Sequence, residues 1–170
     1  MGKKTLITLI VSVVVLIGVI VLFTNIYQTA RNQYEEGHQK SKELVLSNKD
    51  LDVKSIDSIE TYNGEKKYHV MSGKNAKNEK IYVWVPQEEK NNKPTIKKQS
   101  EGITEKEAIA EVNQEKNPEK IVAVTLGMDE GIPIWEVKYI DKSDRYNFDY
   151  VNFNNGDIIK HMAIKNEKDS

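Results

Sequence analysis

The sequence predicts an α+β protein: an N-terminal transmembrane helix, then two tandem units, each a helix packed on a three- or four-stranded antiparallel sheet. Three observations predict it. Residues Thr5 to Phe23 carry no charge. Beyond them, a helical pattern followed by strand-like runs occurs twice, on either side of a polar, lysine-rich stretch. Finally, Asn63–Gly64 and Asn155–Gly156 each sit between strand-like runs, and Asn-Gly is the strongest short hairpin signal.

The first element is the uncharged run. As a helix it is on the order of 28 Å long, the hydrocarbon thickness of a bilayer. A cleavable export signal has a shorter apolar core, about 7 to 15 residues, and a small-x-small cleavage site. "FTNIYQTARNQ" offers no such site: cleavage after Ala30 would place Gln28 at the −3 position, and cleavage after Thr24 would place Leu22 there. The chain has no cysteine, so a lipid cannot be carried on an N-terminal cysteine. Residues 1–25 are therefore expected to be a cytoplasmic tip and retained anchor in membrane lipid. Lys3 and Lys4 precede the run, and the first charged residue after it is Arg31, soon followed by Glu35 and Glu36. Cytoplasmic flanks are enriched in Lys and Arg, so the short end is expected inside and the remainder outside.

Of the 25 basic residues, setting Lys3 and Lys4 aside leaves 23 against 26 acidic ones, a net charge of −3 for the outer part. Nucleic acid binding wants a basic face, so that partner class is excluded. The lack of cysteine also excludes a disulfide framework, thiol catalysis and cysteine-ligated zinc.

The first unit is expected over residues 26–88. "IYQTARNQYEEGHQKSKELVLSN" is rich in helix formers, with Gly37 marking a bend or a join between a stalk and a packed helix. Strand-like runs follow at Ile56–Tyr62, Lys67–Met71 and Lys80–Pro86. In the last, Ile81, Val83 and Val85 alternate with Tyr82 and Trp84, and Pro86 stops the strand or marks an edge. The polar, Pro94-broken stretch that follows reads as a linker, placed at 89–102. The second unit, 103–164, opens with Thr104 and Glu107 at capping-box spacing. Ala108, Ile109 and Val112 give its helix one apolar stripe, and Pro118 ends it. Four strand-like runs come next, "KIVAVTLG", "PIWEVKYI", "NFDYVNF" and "DIIKHMAI", before a tail at 165–170. The two cycles align Glu43 with Glu107, Ile56 with Ile121, Val70 with Val137 and Val83 with Val151. Units of about 60 residues are individually marginal, so the two are expected to pack on each other.

The residues carry no catalytic constellation. Ser-x-x-Lys fails at both candidate serines, because Asn75 follows Ser72 and Tyr146 follows Ser143 at that spacing. His38, His69 and His161 lack metal-type spacing, and His69 reads as a packed or solvent-facing strand residue. "DKSDRYNFD" lacks the glycine and bidentate glutamate of a calcium loop and reads as a solvated hairpin. No cofactor or metal is expected. Tyr82, Trp84, Trp135 and Tyr150 remain, with two readings. They pack the sheets, or they form an exposed aromatic surface or strand edge that docks a partner.

This layout resembles the PepSY-type domain, a helix plus antiparallel meander. The whole of residues 1–164 resembles the small membrane-anchored firmicute proteins of the cell wall elongation regulator TseB-like family. The stretches that carry the resemblance are "KSIDSIETYNGEKKYHVMSG", "EKIYVWVP", "TEKEAIAEV" and "PIWEVKYIDKSDRYNFDYVNFNNGDII". The resemblance implies a non-enzymatic extracytoplasmic accessory factor that binds and modulates a cell-wall elongation synthase, a class B penicillin-binding protein. Other PepSY-bearing proteins suggest instead a peptidase inhibitor or chaperone-like regulator, and, more remotely, the setting admits a peptidoglycan hydrolase. The resemblance supplies no site residues.

Overall fold

A single helix, α1, takes in 45 residues, Lys3–Ser47, of a computed structural model that describes residues 2–87 and 93–164. The tail expected at 165–170, and residues 88–92, which include the start of the expected linker, lie outside the described residues. The chain divides into two compact units, Met1–Lys40 and Ser41–Ser170.

The first unit is the greater part of α1. Leu16, Ile20, Leu22 and Phe23 are all exposed, and the helix is long and apolar enough to cross a membrane. In a bilayer such a helix satisfies its backbone polar groups internally while its side chains meet lipid. Farther along, Arg31 pairs with Glu35 at 2.8 Å and Glu36 with Lys40 at 2.6 Å, each one helical turn apart. Such exposed pairs are screened by water and contribute little to stability. The helix passes through Gly37 without a break, and the division between the two units falls just beyond it, after Lys40. A mid-helix glycine is unfavourable by only about 1 kcal/mol, which good helix formers on both sides can offset.

The second unit begins with the last turns of α1. Asn48 then caps a short 3-10 turn at Lys49–Leu51, its Oδ1 accepting from Asp50 N at 3.0 Å. Four strands follow, β1 (Val53–Asn63), β2 (Lys67–Asn75), β3 (Lys80–Pro86) and β4 (Thr95–Lys98), as one antiparallel sheet in sequential order. The fourth strand is a correction, since Thr95–Lys98 falls inside the expected linker. Its register sets Thr95 against Trp84 and Ile96 against Val83. The lysine-rich composition hid a strand whose residues are all half-buried.

Helix α2 (Glu105–Lys116) starts at the expected capping box. Thr104 N donates to Glu107 Oε2 at 2.7 Å, and Glu107 N donates to Thr104 Oγ1 at 3.3 Å, so two orphan N–H groups are satisfied reciprocally. Pro118 follows its left-handed end at Asn117. A second antiparallel sheet then runs in order through β5 (Lys120–Asp129), β6 (Ile132–Ile140), β7 (Tyr146–Asn152) and β8 (Ile158–Ala163). The aligned valines fall on equivalent strands: Val70 and Val137 on β2 and β6, Val83 and Val151 on β3 and β7.

Period-two alternation splits the core in two. Met71, Ile81, Val83 and Val85 form one cluster with Val45 of α1. Val70 and Trp84 belong to a larger cluster with Tyr62, α2 residues Ala108 and Val112, and the inner residues of the second sheet. The first sheet is thus buried on both faces, under its own helix on one and against the second repeat on the other.

Candidate functional site

The four aromatic residues singled out from sequence lie at or beside this inter-repeat core. Tyr82 meets Trp84, Trp135 and Phe153 edge to face, with ring centroids 6.0 Å apart in each pair. Trp84 stands at 6.0 Å from Phe153 in the same manner. Such pairs add about 0.5–1.5 kcal/mol each beyond their area burial. Trp84 is 0% exposed, Trp135 5% and Tyr150 6%, while Tyr82 is half-buried. Of the two readings of these residues, the burial of Trp84, Trp135 and Tyr150 supports packing, in which they join one sheet to the other. Trp135 Nε1 donates to Ile103 O at 3.0 Å. Trp84 Nε1, by contrast, is buried without an acceptor among the described residues.

Tyr62 completes the seam, donating its hydroxyl to Glu136 Oε2 at 3.1 Å. Its phenol is pushed well above the ordinary range, first by burial and then by Tyr150 and Glu136 beside it. Burial also raises Tyr150. Both hydroxyls therefore stay protonated at any physiological pH and act only as hydrogen-bonding groups. The close approach has a backbone cause. A Cβ on Gly127 would stand 2.5 Å from the Tyr62 ring, so only glycine leaves that ring its seat.

Two buried polar groups use side chains that chemistry would otherwise want. His69, expected packed or solvent-facing, is packed: its Nδ1 is 2.7 Å from Ser41 Oγ, and both residues are buried. Gln87 Nε2 donates to Ser41 Oγ at 3.2 Å and to Val85 O at 2.9 Å. A serine beside a histidine has the composition of a nucleophile and its base, but here both are buried and tie α1 to β2. In the second sheet Asp149, 0% exposed, accepts from the Tyr139 hydroxyl at 3.3 Å and lies 2.5 Å from His161 Nδ1. Burial, followed by the Asp149 charge, raises the Tyr139 phenol.

In the "DKSDRYNFD" hairpin, the acidic group is spent on the turn itself. Asp141 Oδ1 accepts from Ser143 N at 2.8 Å and Arg145 N at 3.1 Å, and Oδ2 meets Arg145 Nη2 at 3.0 Å. The backbone N–H of Arg145, ahead of the other donors, holds this carboxyl down at about 2. Among the described residues no three His, Asp or Glu side chains gather as a metal site would require.

Besides a groove of about 330 Å³ beside Tyr82 and Trp135, two open features remain among the described residues. A cleft of about 480 Å³ lies between the β1–β2 and β5–β6 turns, lined by Glu65, Tyr68, Pro86, Lys93, Met128 and Glu130 among others. The second is a face of the second sheet. Pairing across β6, β7 and β8 puts Glu136, Tyr150 and Lys160 in one row and Lys138, Phe148 and Met162 in the next. Tyr62 reaches the first row. Beyond it Tyr146 is 42% exposed and Met162 36%. The Lys138 ammonium lies 4.8 Å from the Tyr146 ring centroid and 5.3 Å from that of Phe148. Sequence reasoning did not single these residues out. Their signal is the β7 alternation, which sets Tyr146 and Phe148 on one face and Asn147 and Asp149 on the other, with the polar pair buried.

Comparison with known proteins places these features. Residues 44–86 match the family model described as cell wall elongation regulator TseB-like domain, and residues 102–162 match the peptidase propeptide and YPEB domain, or PepSY. The chain is 34% identical over 163 residues to the probable cell wall elongation regulator TseB of Bacillus subtilis, covering 96% of this chain and 99% of that protein. Among solved structures, the YpmB protein from Bacillus subtilis superposes with a TM-score of 0.65 at 35% identity, covering 68% of this chain and 90% of that one.

Proposed function

The chain belongs to the TseB-like family of cell wall elongation regulators, and on that premise we propose that it is a non-enzymatic accessory protein that binds and modulates a cell-wall elongation synthase of the class B penicillin-binding type. The observation that carries the reading is the near full-length match to a probable regulator of that process, anchor region included. The fate of the polar side chains supports it. Ser41, His69 and Asp149 are inside the fold, holding elements together.

In this reading the uncharged N-terminal part of α1 stays in the cytoplasmic membrane with Lys3 and Lys4 inside, and the two repeats that begin with the last turns of α1 stand outside. Sharing one membrane raises the effective concentration of two partners, so a weak contact is populated without a large interface. Crosslinking the intact anchored protein in living cells and identifying the captured chains tests the reading. Recovery of the elongation transpeptidase is the expected result, and its absence from every captured set overturns it.

The match of residues 102–162 to a model described for peptidase propeptides favours one second reading, restraint of a secreted peptidase. Dose-dependent inhibition of a secreted metallopeptidase by the purified outer part, with no transpeptidase captured, would select it.

A further inference from the structure

We propose that the open end of the second sheet, around Lys138, is the surface that receives the partner, and that it fits a protein segment presenting an apolar side chain beside a carboxylate. This rests on the regulator reading and adds to it the place and chemistry of contact.

The surface is one face of β6, β7 and β8, in rows fixed by strand register. Ile140 pairs with Tyr146, Lys138 with Phe148, and Phe148 with Met162. Ile164 N bonds Tyr146 O, which extends the face past the end of β8. Tyr146, Met162 and Ile164 are exposed. The same face shows at its other end what it accepts, because there the Tyr62 ring from the first repeat lies over Gly127 with its hydroxyl on Glu136. The open end continues this surface without an occupant from the described chain.

Charge identifies the occupant. Two cations nearby have their counter-ions: Lys160 sits 3.2 Å from Asp129 and Arg145 3.0 Å from Asp141. Lys138 has two aromatic rings and no carboxylate within 4.0 Å among the described residues. Those rings hold the ammonium in place and take part of its hydration away, so an arriving carboxylate meets a cation already oriented and partly desolvated. A flat, twisted sheet has no concavity to enclose a small molecule, whereas a polypeptide can lie across its rows. Exposed apolar rows around an oriented, unpaired cation, with Lys120 set against Ile140 at the same end, therefore complement an acidic, apolar protein segment.

The test uses the full-length anchored protein. A photocrosslinking residue is placed in separate variants at Tyr146, Met162, Asp57 and Lys106, all exposed, and capture of the elongation transpeptidase is scored in cells. Binding to the purified transpeptidase in nanodiscs is measured for Lys138→Glu, for Lys138→Gln as a milder change, and for Lys106→Glu as a charge control. The expected result is capture from positions 146 and 162. With it, Lys138→Glu weakens binding at least about tenfold, Lys138→Gln weakens it less, Lys106→Glu leaves it unchanged, and added salt narrows the difference. Capture only from positions 57 or 106, or equal binding by all three variants, overturns the surface and leaves the regulator reading standing. Capture from no position overturns the regulator reading itself.

Discussion

Ser41 Oγ and His69 Nδ1 stand 2.7 Å apart in the interior, joining the last turns of α1 to the middle of β2. Val45, one helical turn further on, is fully buried against Met71, Ile81, Val83 and Val85. The helix that begins with the uncharged apolar run therefore ends as part of the first repeat's core. Ser41→Ala removes a buried hydrogen bond and is expected to destabilise Ser41–Ser170 by about 1–2 kcal/mol. Urea unfolding at equilibrium checks this, with a lower midpoint and an unchanged slope as the expected outcome.

The seam between repeats depends on a missing side chain. Gly127→Ala would bring a Cβ within 2.5 Å of the Tyr62 ring. Overpacking of this kind destabilises by about 1–3 kcal/mol. Tyr62→Leu in the same chain removes the ring and should recover part of the loss, which a double-mutant cycle reads as a coupling between two positions 65 residues apart in sequence. Simple additivity of the two changes would show that the ring has another way to move.

Trp84 distinguishes packing from docking. It is 0% exposed among Tyr82 and Phe153, so Trp84→Ala is expected to lower stability by about 3–5 kcal/mol. The thermal melt should fall and the exposed, membrane-bound pool with it. A variant that melted normally yet lost its partner would restore the tryptophan to the surface.

Much of this was readable from residue order, where local chemistry and tertiary need agree. The capping box at Thr104 and Glu107, the stop at Pro118, and the two-faced strand of Ile81, Val83 and Val85 against Tyr82 and Trp84 all formed as read. The expectation that two marginal repeats would pack together also matches one compact unit from Ser41 to Ser170. Sequence failed where tertiary pairing overrode composition. Thr95–Lys98 looks like a linker, yet β3 offers it a ladder and the strand forms. In β7 the inside and outside are reversed from what polarity suggests. Asn147 and Asp149 are buried because Arg145 O, Tyr139 and His161 satisfy their hydrogen bonds, and Tyr146 faces out. That reversal also concealed the Lys138 face.

Acid should loosen the hairpin at Asp141. Its carboxyl ordinarily titrates at 3.8 and is held at about 2 in the fold, chiefly by the backbone N–H of Arg145. A lowered folded value means the ionised group favours the folded state, so its contribution is fully present above the ordinary value and is lost as pH falls from about 4 through about 2. Asp141→Asn should therefore be less stable than the parent at neutral pH, and the gap should narrow on acidification across that window. Paired urea titrations at neutral pH and at acid pH measure it, and a gap that widened in acid would contradict the assignment.

The central proposal is that this protein works only when it is held at the membrane. Residues 5–23 can be replaced by a cleavable export signal, the released outer part checked for a normal melt, and transpeptidase capture and cell width scored at native expression. Released into the medium, a correctly folded outer part should capture little synthase and leave width abnormal. Full capture and normal width from the untethered form would contradict the claim.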